Sequence, residues 1–101
     1  MTNLEKQIES WHERKFGKVD IPNTYRKLLE EVGELGEALI RQDSEAIREE
    51  SGDVAFVLCH IVRAACPDYP SLSHAIAVAL EKNEGRLLGA GNKRKLREVP
   101  E

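Results

Sequence analysis

Four acidic residues form two pairs whose spacing suits the coordination of a metal ion. Glu31 and Glu34 stand three residues apart, as do Glu50 and Asp53, and fifteen residues separate the two pairs. Residues three apart on a helix are neighbours on one face, so each pair presents two carboxylates together. If consecutive helices carry the pairs and fold back on each other, all four groups converge. Ionised carboxylates repel one another and are costly to remove from water, so this cluster predicts a bound cation.

The chemistry of the ligands indicates which cation that is. Carboxylate oxygens select hard ions, so we expect Mg²⁺, with Mn²⁺ as the second choice, rather than zinc or copper. No histidine lies within either acidic pair. His12 follows Glu9 by three residues, as in di-iron helices, but such sites use two copies of this element and the sequence has one. His60 and His74 are single histidines for which we expect structural or exposed positions.

Magnesium held by carboxylates commonly also binds phosphate groups, because the ion keeps several coordination positions open. The acids therefore predict phosphoryl or nucleotidyl chemistry. Lys82 and Arg86 stand four residues apart on the last predicted helix and are candidates to bind a polyphosphate. A solvated pair of surface cations explains that spacing equally well.

Four helices are expected to position these residues. Gly17 is suited to end the first helix, Asp20 and Pro22 resemble a helix start, and Pro67 stops the third. Asp43 or Ser44 can cap the third helix. Apolar spacing then predicts helices over about 3–16, 20–42, 44–66 and 71–88.

The second and third predicted helices carry the apolar faces. On the second, spacings of four, three and four residues predict a core face made of Leu28, Val32, Leu35 and Leu39. On the third, an arc of roughly 140° contains Ile47, Val54, Val57, Leu58, Ile61, Val62 and Ala65. Glu50 falls inside this arc and Asp53 at its margin, whereas Glu30 and Glu37 point away from the core. Gly33 and Gly36 form part of a second strip, where we expect another backbone or a ligand to approach closely.

Composition sets the broad class of the protein. The chain has 101 residues, a net charge of -3, 33% charged and 41% hydrophobic residues, which is ordinary for one soluble domain and argues against nucleic-acid binding. It has neither an apolar run of about 18 residues nor a signal-peptide core, so we expect a cytoplasmic protein without membrane contact. We expect one domain over residues 1–90 and a mobile basic tail over residues 91–101.

The two cysteines do not indicate a disulfide or a zinc site. Cys59 and Cys66 lie seven residues apart on one predicted helix, about 10 Å along its axis, which is beyond disulfide reach. No Cys-x-x-Cys spacing is present. We expect both to be buried as small apolar side chains.

The stretch KLLEEVGELGEAL followed by REESGDVAFVL resembles the MazG-like all-α NTP pyrophosphohydrolases, whose signature is Glu-x-x-Glu, a short gap and Glu-x-x-Asp. The sequence matches all four acidic positions, and the resemblance extends over roughly residues 4–88. It implies an all-α, four-helix module completed by oligomerisation as a homodimer or homotetramer. The implied reaction splits a nucleoside triphosphate into monophosphate and pyrophosphate, a house-cleaning activity on the nucleotide pool.

The resemblance also implies roles for individual residues. Glu31, Glu34, Glu50 and Asp53 would hold Mg²⁺, and Glu31 or Glu34 would orient the attacking water. Lys82, Asn83 and Arg86 would lie near the phosphates. Trp11 would stack on the base, although a core tryptophan is the alternative.

Two other functions are compatible with the sequence. One is a non-catalytic helical interaction or regulatory module in which the acids hold a structural metal. The other is hydrolysis of a different pyrophosphate substrate, such as the phosphoribosyl-ATP intermediate of histidine synthesis, which related all-α enzymes process.

Overall fold

The computed structural model describes residues 2–88, with only the backbone described for residues 86–88. The four helices are α1 Asn3–Phe16, α2 Ile21–Arg41, α3 Ser44–Ala65 and α4 Leu72–Leu88. Within the described residues there is no strand, which confirms the all-α prediction, and the predicted helix ends agree to within one residue. The basic tail predicted for residues 91–101 lies outside the described residues.

Polar side chains fix where the first three helices begin. Thr2 and Glu5 form a capping box at α1, in which the Glu5 N–H donates to Thr2 Oγ1 (3.1 Å) and the Thr2 N–H donates to the Glu5 carboxylate (2.9 Å). Asp20 and Asp43 each accept a hydrogen bond from a backbone N–H in the first turn of α2 and α3. The capping signals predicted for α2 and α3 therefore locate these two helix starts correctly.

The connection between α2 and α3 is a tight turn. Gln42 adopts a left-handed conformation with φ 56°, and its N–H donates to the carbonyls of Ala38 and Leu39. Asp43 follows directly and caps α3. A connection this short makes α2 and α3 antiparallel neighbours, and their contact is the most extensive between any two described helices. This α2–α3 hairpin is what brings the two acidic pairs face to face.

The face of α2 that meets α3 differs from the one expected. Leu28 and Leu35 are half-buried as predicted, but Val32 and Leu39 are about half exposed, so the predicted core face is wrong for these two. The covered face instead carries Thr24, Leu28, Glu31, Leu35 and Ala38. Two adjacent apolar strips run along α2, and the hairpin covers only one of them. Among the described residues, Ala38 and Val57 are the only apolar side chains classed as buried.

The fourth helix packs on the far side of α3 from the acids. A mostly apolar cavity of about 410 Å³ lies between α1, α3 and α4, and α3 contributes Gly52, Ala55 and Cys59 to its lining. At about 100° per residue, these positions lie roughly opposite Glu50 and Asp53 around α3. This placement separates α4 from the acidic face of the hairpin.

One carboxylate ties α1 to the start of α4. Glu5 accepts hydrogen bonds from the hydroxyl of Ser71 (3.1 Å) and from the N–H (3.1 Å) and hydroxyl (2.7 Å) of Ser73. Desolvation raises the pKa of Glu5, but the hydrogen bonds from Thr2, Ser73 and Ser71 outweigh it and lower the pKa to about 2. The ionised Glu5 therefore caps two helices at once.

Two further sequence predictions can be compared with the fold. Cys59 is half-buried, but Cys66 is exposed at the end of α3, so its predicted burial is wrong. Both cysteines are free thiols. Among the described helices, none is both long enough and apolar enough to cross a lipid bilayer.

Candidate active site

The α2–α3 hairpin brings three of the four predicted acids together. One ligand oxygen from each of Glu31, Glu50 and Asp53 lies within 4.8 Å of the other two. Glu31 is buried, with 7% of its surface exposed, whereas Glu50 is half-buried and Asp53 is exposed. The group of three thus has a protein side and a solvent side, an arrangement that suits a cation which keeps some of its water.

Glu34, the fourth predicted acid, lies beside this group and forms a hydrogen bond with Glu50. Desolvation raises the pKa of Glu50 to about 7, assisted by the negative charges of Glu34 and Asp53 and by hydrogen bonds with both. Near neutral pH the cluster therefore holds a proton that relieves part of the repulsion between its carboxylates. A divalent cation at the same place would remove the need for that proton.

Lys27 is a member of the site that the sequence reasoning missed. Its Nζ lies 3.2 Å from Glu31 Oε2, and hydrogen bonding and charge attraction to Glu31 raise the pKa of Lys27. The other oxygen, Glu31 Oε1, is buried without a hydrogen-bond partner. An unpartnered carboxylate oxygen in an all-oxygen cluster fits a metal ligand. The spacing of four residues between Lys27 and Glu31 is the sequence signal that could have identified the pair.

A cavity of about 350 Å³ lies beside the acids, between α1 and the hairpin. Glu31, Asp53 and Lys27 line one part of it, and other parts are lined by Trp11, Phe16, Asn23, Thr24 and Phe56. The Trp11 ring is 5.2 Å from the Phe56 ring, in an edge-to-face arrangement, and 36% of Trp11 is exposed. Trp11 thus lines the cavity and is not a fully buried core residue. This position is compatible with its predicted contact with a base.

The model of the MazG nucleotide pyrophosphohydrolase domain matches residues 21–87, about two thirds of the chain. The chain belongs to this family. The match confirms the resemblance noted in the sequence, and all four acids lie inside it. Comparisons with curated proteins and with solved structures gave no significant match.

Two buried histidines complete the cavity of this MazG-family chain. The rings of His12 on α1 and His60 on α3 are 4.3 Å apart, and each Nδ1 atom is buried without a hydrogen-bond partner. Desolvation, followed by the charge of Arg63, lowers the pKa of His12. Desolvation lowers the pKa of His60 to about 4, assisted by His12 and Arg63. The His60 ring is therefore neutral at pH 7, the lowered pKa favours the neutral form of His12, and both rings line the cavity.

Two of the predicted phosphate-binding residues of α4, Lys82 and Asn83, do not line this cavity. Lys82 is exposed, and Asn83 is half-buried with its Oδ1 lacking a hydrogen-bond partner. Arg86 lies in α4, but its side chain is outside the described part of the chain. Because α4 packs on the opposite side of α3, the described residues of one chain do not bring Lys82 or Asn83 to the acids.

Proposed function

We propose that this protein of the MazG family is a Mg²⁺-dependent nucleoside triphosphate pyrophosphohydrolase. It releases a nucleoside monophosphate and pyrophosphate, and so removes nucleotides from the pool as a house-cleaning enzyme. The observation that carries this proposal is the convergence of Glu31, Glu50 and Asp53 beside an aromatic-lined cavity. The acids suit a metal-bound polyphosphate, and the cavity suits the base and sugar attached to it.

Glu31, Glu50 and Asp53 are the residues proposed to hold Mg²⁺, with Mn²⁺ as the alternative. Two features of the site support the fit: the unpartnered Oε1 of Glu31 and the raised pKa of Glu50. The first is a carboxylate oxygen that no described protein group satisfies, and the second reflects desolvation of Glu50 together with the charges of Glu34 and Asp53. When bound, the ion would supply Lewis-acid polarisation of the phosphates and neutralise their charge.

Glu34 is the residue we assign to orient the attacking water. It is exposed and lies beside the three ligands, in hydrogen-bond contact with Glu50. Glu31 is less suited, because one oxygen pairs with Lys27 and the other is buried. In the proposed step the water oxygen bonds to the α phosphorus, its proton passes to Glu34, and the bond from that phosphorus to the bridging oxygen breaks. Pyrophosphate then leaves.

Lys27 is the basic group that one chain places at the acids. Its ammonium group pairs with Glu31 in the absence of other ligands. Once a cation compensates Glu31, Lys27 can turn to the phosphates and stabilise charge on the leaving pyrophosphate. We assign it this role within the protomer, alongside the family-based expectation for Lys82, Asn83 and Arg86.

A second copy of the chain is the proposed source of the α4 residues, in a homodimer or homotetramer. An apolar strip on α2 is about half exposed and consists of Tyr25, Leu29, Val32 and Leu39. Gly36 lies within this strip, and a Cβ added to it would meet no other described part of the chain within 4 Å beyond the adjoining backbone of its own helix and its chain neighbours. Pairing of two such strips would cover the apolar surface and allow close helix approach at the glycine.

The proposed activity is tested by measuring pyrophosphate release from a panel of standard and modified nucleoside triphosphates with Mg²⁺ or Mn²⁺. Glu50→Gln is expected to abolish turnover, and Glu49→Gln, an exposed neighbour, to retain it. Circular dichroism checks that both variants remain helical. Absence of pyrophosphate release by the wild type across the panel would instead favour a non-catalytic module, and full turnover by Glu50→Gln would refute the site.

A further inference from the structure

His60 lies two helical turns beyond the acids on the same side of α3. It follows Asp53 by seven residues, which corresponds to about 10 Å along the helix axis and roughly 20° around it. Both residues line the same cavity. A nucleotide whose phosphates bind the cation proposed at Asp53 can therefore extend along this face of α3 towards His60.

The surroundings of His60 are aromatic. Its ring packs edge to face on Phe56 at 5.0 Å and lies 4.3 Å from the ring of His12, which in turn lies 5.3 Å from Phe16. His60 is 5% exposed and His12 8% exposed. A phenylalanine would fill a site of this kind without placing a polar nitrogen in it.

The hydrogen-bonding state of the two imidazoles is what packing leaves unexplained. Nδ1 of His60 and Nδ1 of His12 are both buried and both lack a partner. Such groups are rare in folded proteins, because an unmet buried donor or acceptor destabilises the fold. The His12 ring also forms a hydrogen bond with the backbone of Gly17, so Nδ1 of His60 is the atom in the cavity lining for which we infer a hydrogen bond from a ligand.

The chemistry of the pair identifies the kind of ligand. Burial lowers the pKa of both histidines and so favours the neutral ring, which has one N–H donor and one nitrogen acceptor. Trp11 and Phe56 line the same cavity and offer aromatic surfaces for stacking. A planar ring with donors and acceptors on its edge, as in a nucleobase, satisfies both the aromatic walls and the imidazole nitrogens.

We propose that His60, supported by His12, determines which nucleobase the cavity accepts, by hydrogen bonding to the edge of the base. This inference rests on the proposed function, in which the phosphates of the same nucleotide lie at Glu31 and Asp53. His60 contacts the base and takes no part in breaking the phosphoanhydride bond. Its substitution therefore changes the ranking of substrates rather than the chemical step.

The test compares three variants of the full chain. His60→Phe keeps an aromatic ring but removes both nitrogens, and His60→Asn retains a polar group near the position of Nδ1. His74→Phe is the matched control, because His74 stacks on Tyr69 at 3.7 Å and does not line the cavity. For each protein, kcat/KM is measured with the four ribonucleoside and four deoxyribonucleoside triphosphates. Dissociation constants of the corresponding monophosphates are measured by calorimetry.

His60→Phe is expected to reduce the ratio between the best and the worst base by about tenfold or more in both measurements. His60→Asn should preserve more of that ratio than His60→Phe, and His74→Phe should leave it unchanged. The melting temperature of His60→Phe is expected at or above that of the wild type, since an unmet polar group is removed. A uniform loss for all bases, or a wild type without base preference, would overturn the assignment.

The calorimetric measurement separates this inference from the proposed function. If the wild type hydrolyses no triphosphate but binds monophosphates with a preference that His60→Phe removes, the base-reading role stands and the hydrolase proposal fails. If triphosphates are hydrolysed with an unchanged ranking in His60→Phe, only the role of His60 fails. If the wild type neither binds nor hydrolyses any of these nucleotides, both fail.

Discussion

Addition of Mg²⁺ to the metal-free protein is expected to release a proton from Glu50. Desolvation and the neighbouring carboxylates of Glu34 and Asp53 raise the pKa of Glu50 from its ordinary 4.5 to about 7. Because the folded pKa lies above the unfolded one, the stability due to protonated Glu50 is fully present below about pH 4.5. It is lost as the pH rises through about 7. A bound cation requires the ionised carboxylate and so competes with this proton.

The size of the effect follows from the pKa of about 7. Glu50 is protonated in about 90% of molecules at pH 6, about 50% at pH 7 and about 10% at pH 8. Each bound Mg²⁺ should therefore release about 0.9, 0.5 and 0.1 proton from Glu50 at these three values. The apparent affinity for Mg²⁺ should rise about tenfold between pH 6 and pH 8, in proportion to the ionised fraction.

Isothermal titration calorimetry in buffers of different ionisation enthalpy measures this proton release directly. Glu49→Gln provides the matched control, because Glu49 is an exposed neighbour that is outside the acidic group of three. It should reproduce the wild-type values, whereas Glu50→Gln should release no proton and bind Mg²⁺ weakly. Proton release that does not change between about pH 6 and pH 8 would show that Glu50 does not hold the proton, and would refute the electrostatic reasoning.

Three further predictions concern other parts of the molecule. The folded pKa of Glu5 is lowered to about 2, so the wild type loses the stabilisation due to ionised Glu5 as the pH falls from about 4.5 to about 2. Glu5→Gln should remove this stabilisation, which is about 1 kcal/mol after allowance for solvent exposure. Chemical denaturation of both proteins across this range tests it, and equal acid sensitivity would contradict it. Lys27→Met should lower kcat/KM by about tenfold or more. The free energy of unfolding should change by less than about 1 kcal/mol, since the Lys27 side chain is 55% exposed. Lys18→Met is the control, and unchanged kinetics of Lys27→Met would exclude the phosphate role. Leu29→Lys should convert the assembly into monomers in sedimentation experiments and Glu13→Lys should not; a wild type that is already monomeric would exclude the α2 interface.

The helices and the acidic site could be predicted from local sequence because their determinants are local. Caps such as Asp20 and Asp43 act within one turn, and the spacing of Glu31 and Glu34 fixes their common face whatever surrounds them. The tight turn at Gln42 then makes α2 and α3 an antiparallel hairpin. Four carboxylates on facing helices follow from these rules alone.

The rotation of α2 and the position of α4 depend on which surfaces meet, and a single sequence does not specify that. α2 carries two neighbouring apolar strips, so periodicity could not decide whether Val32 or Ala38 faces α3. α4 is held on its side of α3 in part by the hydrogen bonds that Ser71 and Ser73 donate to Glu5, which lies more than sixty positions away in the sequence. The relation of Lys82 to the acids was unpredictable for the same reason.

Of the unmet buried polar atoms in the described part of the chain, all but Asn83 Oδ1 lie at one cavity. Glu31 Oε1 and the Nδ1 atoms of His12 and His60 all belong to residues that line the cavity between α1 and the hairpin. Each such group destabilises a fold by about 1–3 kcal/mol, and a whole domain is stable by only about 5–15 kcal/mol. A core with few buried apolar side chains offsets this cost poorly. In the complex that we propose, a nucleotide with its cation would supply charge at Glu31 and hydrogen bonds at the two histidines, so the atoms that weaken the free protein would strengthen its complex.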